Sequence, residues 1–383
     1  MKNTNWHAIA ALNAVSTFAQ LGQFGVGFLV LPIWLAARGM GAIQLGFFGA
    51  AEWAGMLAGL LVTPKLLMQF TSKRVVFFGL FSSSIGFILV PQMSWPLWML
   101  PAFLIGFGMG LRWIANETWL YRISPQKIVG QIVGFHEALI SLAVIVGPLL
   151  VVWFSTVDNF VVLLGALFSS LAALPLLLVA SEEIQNEIHE DYKLGFFQVD
   201  KITMLGIALA TAGGVTDGAF TALFPIFGLG RGFNEVQIGS LLAIIGVGGL
   251  LLQYPLGWFS DQFGFVKTSL LAAVVTMLVS LFMASITMSF NALSIVGFIF
   301  GGFVASFLTL SIIAAASTSN RSHMAQNMSK VSIAFTASSI IGALLAGFAA
   351  ASLGGDALIW LVALASAVLA VIFVRNLRAP EGA

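Results

Sequence analysis

A few ionisable residues interrupt long apolar stretches of the chain, and the chemistry of the protein is most easily sought there. Arg112, Asp217 and Glu52 each fall near the middle of such a stretch. An ionisable group at membrane depth costs at least about 2.5 kcal/mol, so it suggests a function by default. Arginine keeps its charge when buried and can donate two parallel hydrogen bonds to a carboxylate or phosphate. Arg112 is therefore our first candidate for contact with a substrate or a coupling acid.

Other polar residues fit a cavity around Arg112. Asn116 follows it by four residues and so shares its helical face. The first apolar stretch carries one polar stripe, because its polar residues recur at helical spacing. The stripe consists of Asn13, Ser16, Gln20 and Gln23. Two alternatives stay open: the stripe serves helix packing, and Arg112 forms a structural ion pair with Glu52 or Glu137.

Asp217 is a candidate proton carrier. It lies in the small-residue segment 213–218, where water or substrate could reach it. A carboxyl group in a low-dielectric environment can exchange a proton near neutral pH, as a proton carrier must. The alternative is that Asp217 caps a broken helix. The same reasoning makes Glu52 a second candidate.

Two further groups lie closer to the cytoplasmic side. Glu117 is expected to form gating ion pairs with Arg122, Lys73 or Arg74, unless it only extends to the membrane interface. His136 and Glu137 form a possible proton relay, because histidine titrates near neutral pH. A histidine that is only hydrogen-bonded is the alternative.

The composition identifies a membrane protein. Hydrophobic residues make up 59% of the chain, charged residues 8%, and the mean hydropathy is +1.02. A soluble domain carries roughly 25% charged residues. The first apolar stretch is too long for the core of a signal peptide, so we expect an uncleaved helix. Twelve stretches are long enough to span a bilayer as helices, at about 8–36, 42–63, 74–92, 97–119, 129–154, 160–180, 202–229, 238–258, 267–288, 291–315, 329–353 and 357–374.

The basic residues predict the orientation of these helices. With both termini in the cytoplasm, 13 of the 16 Lys and Arg residues fall in cytoplasmic segments, and only Arg38 and Arg231 face outward. An excess of basic residues marks the cytoplasmic side. We therefore expect a multi-pass protein of the cytoplasmic (inner) membrane with both termini inside.

The chain also repeats itself. The segment that begins with Pro32 and Ile33 recurs 193 residues later, from Pro225 to Gly239. We expect two pseudo-symmetric six-helix bundles, residues 1–180 and 202–383, joined by a cytoplasmic linker at 181–201. The same offset maps Glu52 onto Ile245, Arg112 onto Ala305 and Asp217 onto Phe24. The fold thus accepts an apolar residue at each place, which makes these charges additions to the scaffold.

Three motifs resemble those of a known family. The segment 257–267, with Gly257, Asp261, Gly264 and Lys267, resembles the G-x-x-x-D-x-x-G-x-[RK] loop of the major facilitator superfamily, and Asp261 is expected to cap a helix. The equivalent first-half loop is eroded to Pro64, Met68, Thr71 and Arg74. Gly147 and Pro148 are similar to the helix-five motif of proton-coupled drug antiporters. The glycine run at 106–108, followed by Glu117, is similar to the YcaD-like group of twelve-helix facilitators.

The resemblance implies a secondary transporter that works by alternating access, with the segment 257–267 as a gating loop. We expect proton-coupled export of a small organic or amphipathic compound; the alternative is proton-linked uptake of a small anionic metabolite. A membrane-embedded enzyme is a third reading, but H-E-x-x-H, G-x-S-x-G and cysteine are all missing from the sequence. We expect no enzymatic activity, cofactor, metal or nucleic-acid partner, and a monomer whose partners are the bilayer, a small molecule and protons.

Overall fold

The computed structural model describes residues 5–125, 128–154, 156, 158–180, 199–317 and 321–378. Most of the predicted linker at 181–201 lies outside these residues. Within them, twelve helices are long and apolar enough to cross a membrane, as the sequence predicted. They are α1 (Trp6–Ala37), α2 (Ala42–Leu67), α3 (Ser72–Gln92), α4 (Met99–Ile123), α5 (Val129–Trp153), α6 (Phe160–Leu177), α7 (Lys201–Gly230), α8 (Glu235–Phe263), α9 (Phe265–Ser285), α10 (Phe290–Ala316), α11 (Arg321–Leu353) and α12 (Ala357–Arg378).

Short polar residues set the starts of several helices. Thr71 accepts a hydrogen bond from the backbone N–H of Arg74 at the start of α3, and Asp200 accepts one from Thr203 at the start of α7. Asn234 and Gln237 form a complete capping box at the start of α8. Each cap satisfies a backbone N–H group that has no partner within the helix.

Helix α1 changes its winding halfway along. Residues Leu21–Val30 are π-helical, between α-helical segments on either side. A π-helix pairs residues five apart, and such segments are frequent at functional sites. The polar stripe crosses this change, because Asn13, Ser16 and Gln20 precede the π-helical segment and Gln23 lies in it. The sequence analysis did not predict it.

The described chain divides into two compact units. One contains the residues up to Met40 and from Phe47 onward in the first half; the other contains Gly41–Gly46 and the second half. The core of the first unit is built from α1, α3, α4 and α6, with Leu12, Leu80, Trp119 and Leu176 among its buried side chains. The core of the second is built from α7, α9, α10 and α12. These are the corresponding helices of the repeat.

Close contacts of glycines within each unit show which residues of the two halves correspond. Gly55 lies against the carbonyl of Phe103, and Gly248 lies in the same way against that of Phe298. The offset is therefore 193 residues in α2 and α8 but 195 residues in α4 and α10. The mapping of Arg112 onto Ala305 was wrong for this reason. Its counterpart is Phe307, a fully buried core residue, so an apolar residue still occupies the equivalent place.

The repeated sequence segment has a structural explanation. Arg38 stacks on the Trp34 ring at 3.6 Å and donates to the carbonyl of Thr156 at 2.9 Å. Its counterpart Arg231 lies over the Phe227 ring at 5.2 Å and binds Asp356 at 2.9 Å. Each arginine thus joins the end of the first helix in its unit to the loop before the last helix.

The adjacent glycines complete the repeated turn. Gly39 and Gly232 adopt φ values of 82° and 79°, which L-residues with a Cβ rarely do. The repeated motif therefore holds each unit together, and its presence in both halves needs no role in transport.

Candidate substrate and coupling site

Arg112 lies in the interior of the first unit, on α4. Only 1% of its surface is exposed. Gly79 on α3 allows the two helices to approach closely here, since a Cβ atom at Gly79 would lie 2.8 Å from the backbone nitrogen of Arg112. Small residues at such contacts permit backbones to pack tightly. The guanidinium is consequently removed from water and must find its partners within the protein.

Those partners are neutral, and they come from the polar stripe of α1. Nε of Arg112 donates to Oε1 of Gln23 at 3.0 Å, and Nη2 donates to Oε1 of Gln20 at 2.6 Å. Nη1 is 3.5 Å from Oγ of Ser16. Gln23 in turn donates to Oγ of Ser83 at 2.8 Å. The sequence analysis identified the stripe and Arg112 as candidates, and the structure brings them together.

Asn116 extends the network towards the N-terminal end of α1. Its Nδ2 donates to Oγ of Ser16 at 2.8 Å and to the carbonyl of Leu12 at 3.1 Å. Ser16 therefore receives hydrogen bonds from both Asn116 and Arg112. The Oδ1 atom of Asn116 is buried and has no hydrogen-bond partner among the described residues. One acceptor in the network is thus unused.

The expected alternative of a structural ion pair is not observed. Within the described residues, no carboxylate lies at ion-pair distance from Arg112, so neither Glu52 nor Glu137 neutralises it. Glu52 on α2 is only 1% exposed, and its Oε1 lacks a hydrogen-bond partner in that part of the chain. A Cβ atom at Gly27 of α1, one turn beyond Gln23, would lie 3.6 Å from this Oε1. The first unit therefore contains a buried cation and a buried acid that are not paired.

A second cluster lies around His136 on α5. Its Nδ1 is 3.0 Å from Oδ1 of Asn13, and its Nε2 is 3.8 Å from Oε1 of Glu117. The Tyr121 ring approaches the imidazole edge-on at 6.3 Å between centroids. Glu137, which we expected to act with His136, is exposed instead. The acid beside the histidine is Glu117, whose side chain is partly buried.

One of the three basic residues expected to form gating ion pairs with Glu117 is bound elsewhere. Nζ of Lys73 donates to the carbonyl of Val179 at 2.6 Å and so joins α3 to the end of α6. Arg74 is exposed at the start of α3, as is Arg122 near the end of α4. Glu117 itself lies beside the His136 imidazole, which carries a charge only when protonated.

Asp217 lies in the second unit on an unbroken helix, so the alternative of a cap in a broken helix is wrong. On either side of it, Gly214 and Gly218 contact the backbone carbonyls of Phe335 and Ser339 on α11. The Asp217 carbonyl accepts a hydrogen bond from Thr221 at 2.8 Å. In the described chain, its carboxylate has no hydrogen-bond or ion-pair partner. The side chain is partly exposed.

The residues of the family motifs lie within helices, at a helix start or at a contact between helices. Helix α8 continues to Phe263, so Gly257 and Asp261 are helical, and Lys267 lies in the first turn of α9. Gly264, with a φ of 87°, occupies the cap position of α9, which receives no side-chain hydrogen bond there. The expectation that Asp261 caps a helix was therefore wrong. On α5, Gly147 packs directly on Gly25 of α1, and Pro148 follows it within the helix.

Sequence reasoning missed Ser83, which orients Gln23 and donates to the carbonyl of Ile105 at 3.0 Å. A signal was present, because three consecutive serines at 82–84 interrupt the apolar helix α3. It also missed the pairing of Asn13 with His136, which joins residues 123 positions apart. Helical spacing predicts a face but not the helix that packs against it.

Comparisons with known proteins place this geometry in a family. The model of the Major Facilitator Superfamily matches residues 12–249 and 204–383. A relative from Escherichia coli O17:K52:H18 (strain UMN026 / ExPEC), described as the uncharacterized MFS-type transporter YcaD, is 26% identical over 70% of each chain. The corresponding protein of Escherichia coli O6:K15:H31 (strain 536 / UPEC) is 25% identical over the same share.

Solved structures of transporters share the fold. The nucleoside transporter NupG superposes with a TM-score of 0.78 at 15% identity, covering 97% of this chain and 99% of its own. A POT family transporter in complex with 5-aminolevulinic acid gives a TM-score of 0.73 at 14% identity, covering 97% and 96%. At this level of identity the likeness concerns the fold alone. Both family resemblances predicted from sequence motifs are confirmed.

Proposed function

The chain belongs to the major facilitator superfamily of membrane transporters, and on that premise we propose that it is a proton-coupled secondary transporter of a small organic compound, with Arg112 as its substrate-binding residue. Transport proceeds by alternating access. The protein is a monomer in the cytoplasmic membrane, with both termini in the cytoplasm, and it moves its substrate without converting it chemically.

The observation that carries this proposal is the set of partners of Arg112. The guanidinium is buried, yet its hydrogen bonds go to Gln20, Gln23 and Ser16, which are all neutral. Amide and hydroxyl dipoles stabilise a charge without cancelling it. A scaffold that needed only stability could hold an apolar residue here, as it holds the buried Phe307 at the equivalent place in the second unit. An uncancelled buried cation is therefore suited to bind the acidic group of a substrate.

Protons are the proposed coupling ion because the chain also holds two acids, Asp217 and Glu52, that are not paired with a cation in the described residues. Within the described residues, Asp217 lacks a partner for its carboxylate in the second unit, and Glu52 is buried in the first with one oxygen unsatisfied. Removal from water, in whole for Glu52 and in part for Asp217, penalises the ionised form of an acid that has no cation beside it. Each can therefore take up or release a proton when its surroundings change between the two access states. Asp217 is the proposed carrier, and Glu52 is the second candidate.

Export in exchange for protons remains the leading direction. Gly147 and Pro148 on α5 resemble part of the motif of proton-coupled drug antiporters, and most residues in the spans are apolar enough to accept an amphipathic compound. The second candidate is proton-linked uptake of a small anionic metabolite. The absence of a counter-charge at Arg112 within the described residues favours it, because a small anion would supply that charge.

Transport in proteoliposomes tests the proposal. Purified protein is reconstituted, and a library of small organic acids, amines and amphipathic compounds is assayed with an inward or outward pH gradient. We expect accumulation of at least one acidic compound that depends on the gradient and disappears when a protonophore is added. Accumulation against the proton flux indicates export by antiport, and accumulation with it indicates symport.

Control vesicles contain the Arg112→Ala variant and, separately, no protein. The compounds recovered from the vesicles are analysed by mass spectrometry, which separates transport from catalysis. Chemical conversion of a compound without its accumulation would contradict a transporter. Accumulation that is identical with and without the gradient would contradict proton coupling.

A further inference from the structure

We propose that Glu117 and His136 together form a site for a single proton, and that Asn13 sets its geometry. This inference rests on the proposed proton-coupled transport and identifies a proton-binding pair that is distinct from Asp217 and Glu52. The pair joins two helices, because Glu117 lies on α4 and His136 on α5, while Asn13 lies on α1.

The orientation of the Asn13 amide is the first step of the argument. Its Nδ2 donates to the carbonyl of Ile9 at 2.8 Å, so that end of the amide is occupied. Its Oδ1 is therefore the atom that lies 3.0 Å from Nδ1 of His136. A carbonyl oxygen can only accept a hydrogen bond. Nδ1 of His136 must carry a hydrogen, and in the neutral ring Nε2 is then a bare acceptor.

The second step is what Nε2 faces. The nearest acid oxygen is Oε1 of Glu117 at 3.8 Å. Both atoms are shielded from solvent, and neither has a hydrogen-bond partner in the described part of the chain. An ionised carboxylate and a bare imidazole nitrogen would then oppose each other as two acceptors. Leaving both unsatisfied costs their full desolvation, whereas one added proton creates a charge-assisted hydrogen bond between them.

The proton balance is simple. In the empty pair, Glu117 is an ionised carboxylate and the His136 ring is neutral. Binding places one hydrogen between Oε1 and Nε2, and a small approach of the two atoms closes the hydrogen bond. Release returns the hydrogen to water on whichever side the access state opens. The pair changes its net charge by one, and no other reactant takes part.

Glu117 is the acid whose oxygen faces Nε2 of His136, and other charged groups act on the pair from nearby. Tyr121 of α4 lies edge-on to the ring, Asn13 of α1 is neutral, and Glu137 on α5 itself is exposed. Arg112, more than one turn before Glu117 on α4, interacts electrostatically with Glu117, and Glu137 does so with both members of the pair. Arg122 lies beyond Glu117 on the same helix.

The proton site is also linked to the substrate-binding residue. Asn13 and Ser16 share one face of α1, and Ser16 binds both Arg112 and Asn116. Asn116 and Glu117 are consecutive on α4. A movement of α4 relative to α1 that changes the distance from Glu117 to His136 would therefore also change the contacts of Arg112. The pair is placed to make proton binding depend on the state of Arg112.

Nitrogen-15 NMR of the full-length protein, labelled at histidine and reconstituted in lipid bilayers, tests the site. The chain has four histidines, and His136→Asn identifies the signals of His136 by their loss. In the neutral ring we expect the hydrogen on Nδ1. Glu117→Gln should abolish the titration that His136 shows in the parent protein, because the glutamine amide can donate to Nε2 and hold the ring neutral. Glu137→Gln is the matched control: it removes an acid charge near the pair but keeps the hydrogen-bond partner of Nε2, so it should shift that titration without abolishing it.

Three results would overturn the site: a hydrogen on Nε2 of the neutral ring, an unchanged titration in Glu117→Gln, or an equal effect of Glu137→Gln. A transport assay tests the role of the site in coupling independently of the NMR experiment. With a substrate from the proteoliposome screen, Glu117→Gln should lose at least about tenfold in pH-driven transport while substrate exchange without a gradient persists. If the parent protein shows no gradient dependence, the proposed coupling fails even where the NMR result upholds the proton site.

Discussion

Gln23 accepts a hydrogen bond of 3.0 Å from Nε of Arg112, so an amide dipole solvates the buried cation where a carboxylate would have neutralised it. This hydrogen bond distinguishes two possible roles of Arg112, half of a structural ion pair or a binding site for an anion. An ion pair would make the residue mainly structural, because removing one partner would strand the other charge. A solvated but uncancelled charge can still attract an anion. The predictions for Arg112 and its neighbours follow from this difference.

Arg112→Lys should reduce transport almost as much as Arg112→Ala, by at least about tenfold. Lysine retains the charge, but it lacks the planar set of donors that Gln20, Gln23 and a substrate acid would share. Transport in proteoliposomes and folded yield in detergent are measured for both variants. Arg375→Lys, at an exposed arginine on α12, is the matched control. Normal transport by a well-folded Arg112→Ala protein would remove Arg112 from the mechanism.

Gln23→Glu should convert the solvated cation into an internal ion pair. We expect the folded yield to stay the same or to rise, because Arg112 gains a counter-charge at a position that already lies at hydrogen-bond distance. Transport of an acidic substrate should fall at least about tenfold, since the new carboxylate competes with it. Gln23→Asn, which keeps a neutral amide, serves as the comparison. If Gln23→Glu transports an acidic compound normally, that compound does not bind at Arg112.

Glu52→Gln should leave the thermal stability unchanged or raise it. A buried carboxyl group without a full set of partners is costly, and glutamine removes its charge at nearly the same shape. An ion pair with Arg112 would predict the opposite, a loss of about 3–5 kcal/mol. The melting temperature in detergent distinguishes the two outcomes, with Glu235→Gln, at a partly exposed position in the first turn of α8, as a control for the substitution itself. If Glu52→Gln lowers the melting temperature as much as Arg112→Ala does, the two residues form an ion pair after all.

The sequence predicted the residues of the site better than their partners. Helical spacing decides which residues share a face, so the stripe of α1 and Arg112 were identified correctly. Which helices pack together depends on side-chain volumes along the whole bundle, so Ser83 was missed. Glu137 was grouped with His136 because the two are adjacent in sequence, yet successive residues on an α-helix point about 100° apart. The structure therefore pairs His136 with Glu117 from another helix.

The same limit applies to the repeat. Its segment after Pro32 located the two halves, because the stacked arginines and the positive-φ glycines require the same residues in both. A single offset then failed between α4 and α10, where two more residues separate the equivalent positions. Glycine contacts reveal such a shift because they depend on backbone packing, which a sequence offset does not include.

Reporter fusions should place the C-terminus and the segment 228–236 on opposite sides of the membrane. This follows from the 13 basic residues in segments predicted to be cytoplasmic against two in outward segments. Fusions of a periplasmically active and a cytoplasmically active reporter are made after Ala383 and after Gly232. We expect the cytoplasmic reporter to be active at Ala383 only. Activity of the same reporter at both positions would contradict the topology of twelve spans with cytoplasmic termini.

Asp217→Asn should abolish proton-driven transport while the protein still folds. The repeat has Phe24 at the equivalent position, where it stacks on Phe28, so the scaffold accepts a neutral side chain there. Asparagine keeps the size of aspartate and removes its titration. Gradient-driven uptake or export is compared with substrate exchange in the absence of a gradient, and Asp158→Asn, in an exposed loop, is the control.

We expect Asp217→Asn to lose at least about tenfold in the gradient-driven rate and to retain exchange, because exchange requires the access states but no net proton movement. Loss of both rates in a folded protein would indicate that Asp217 contacts the substrate. An unchanged dependence on the gradient would assign the coupling proton to the acids of the first unit, and Glu117→Gln and Glu52→Gln would then distinguish between them. The proton carrier is thus the acid whose replacement by its amide abolishes gradient-driven transport but leaves substrate exchange intact.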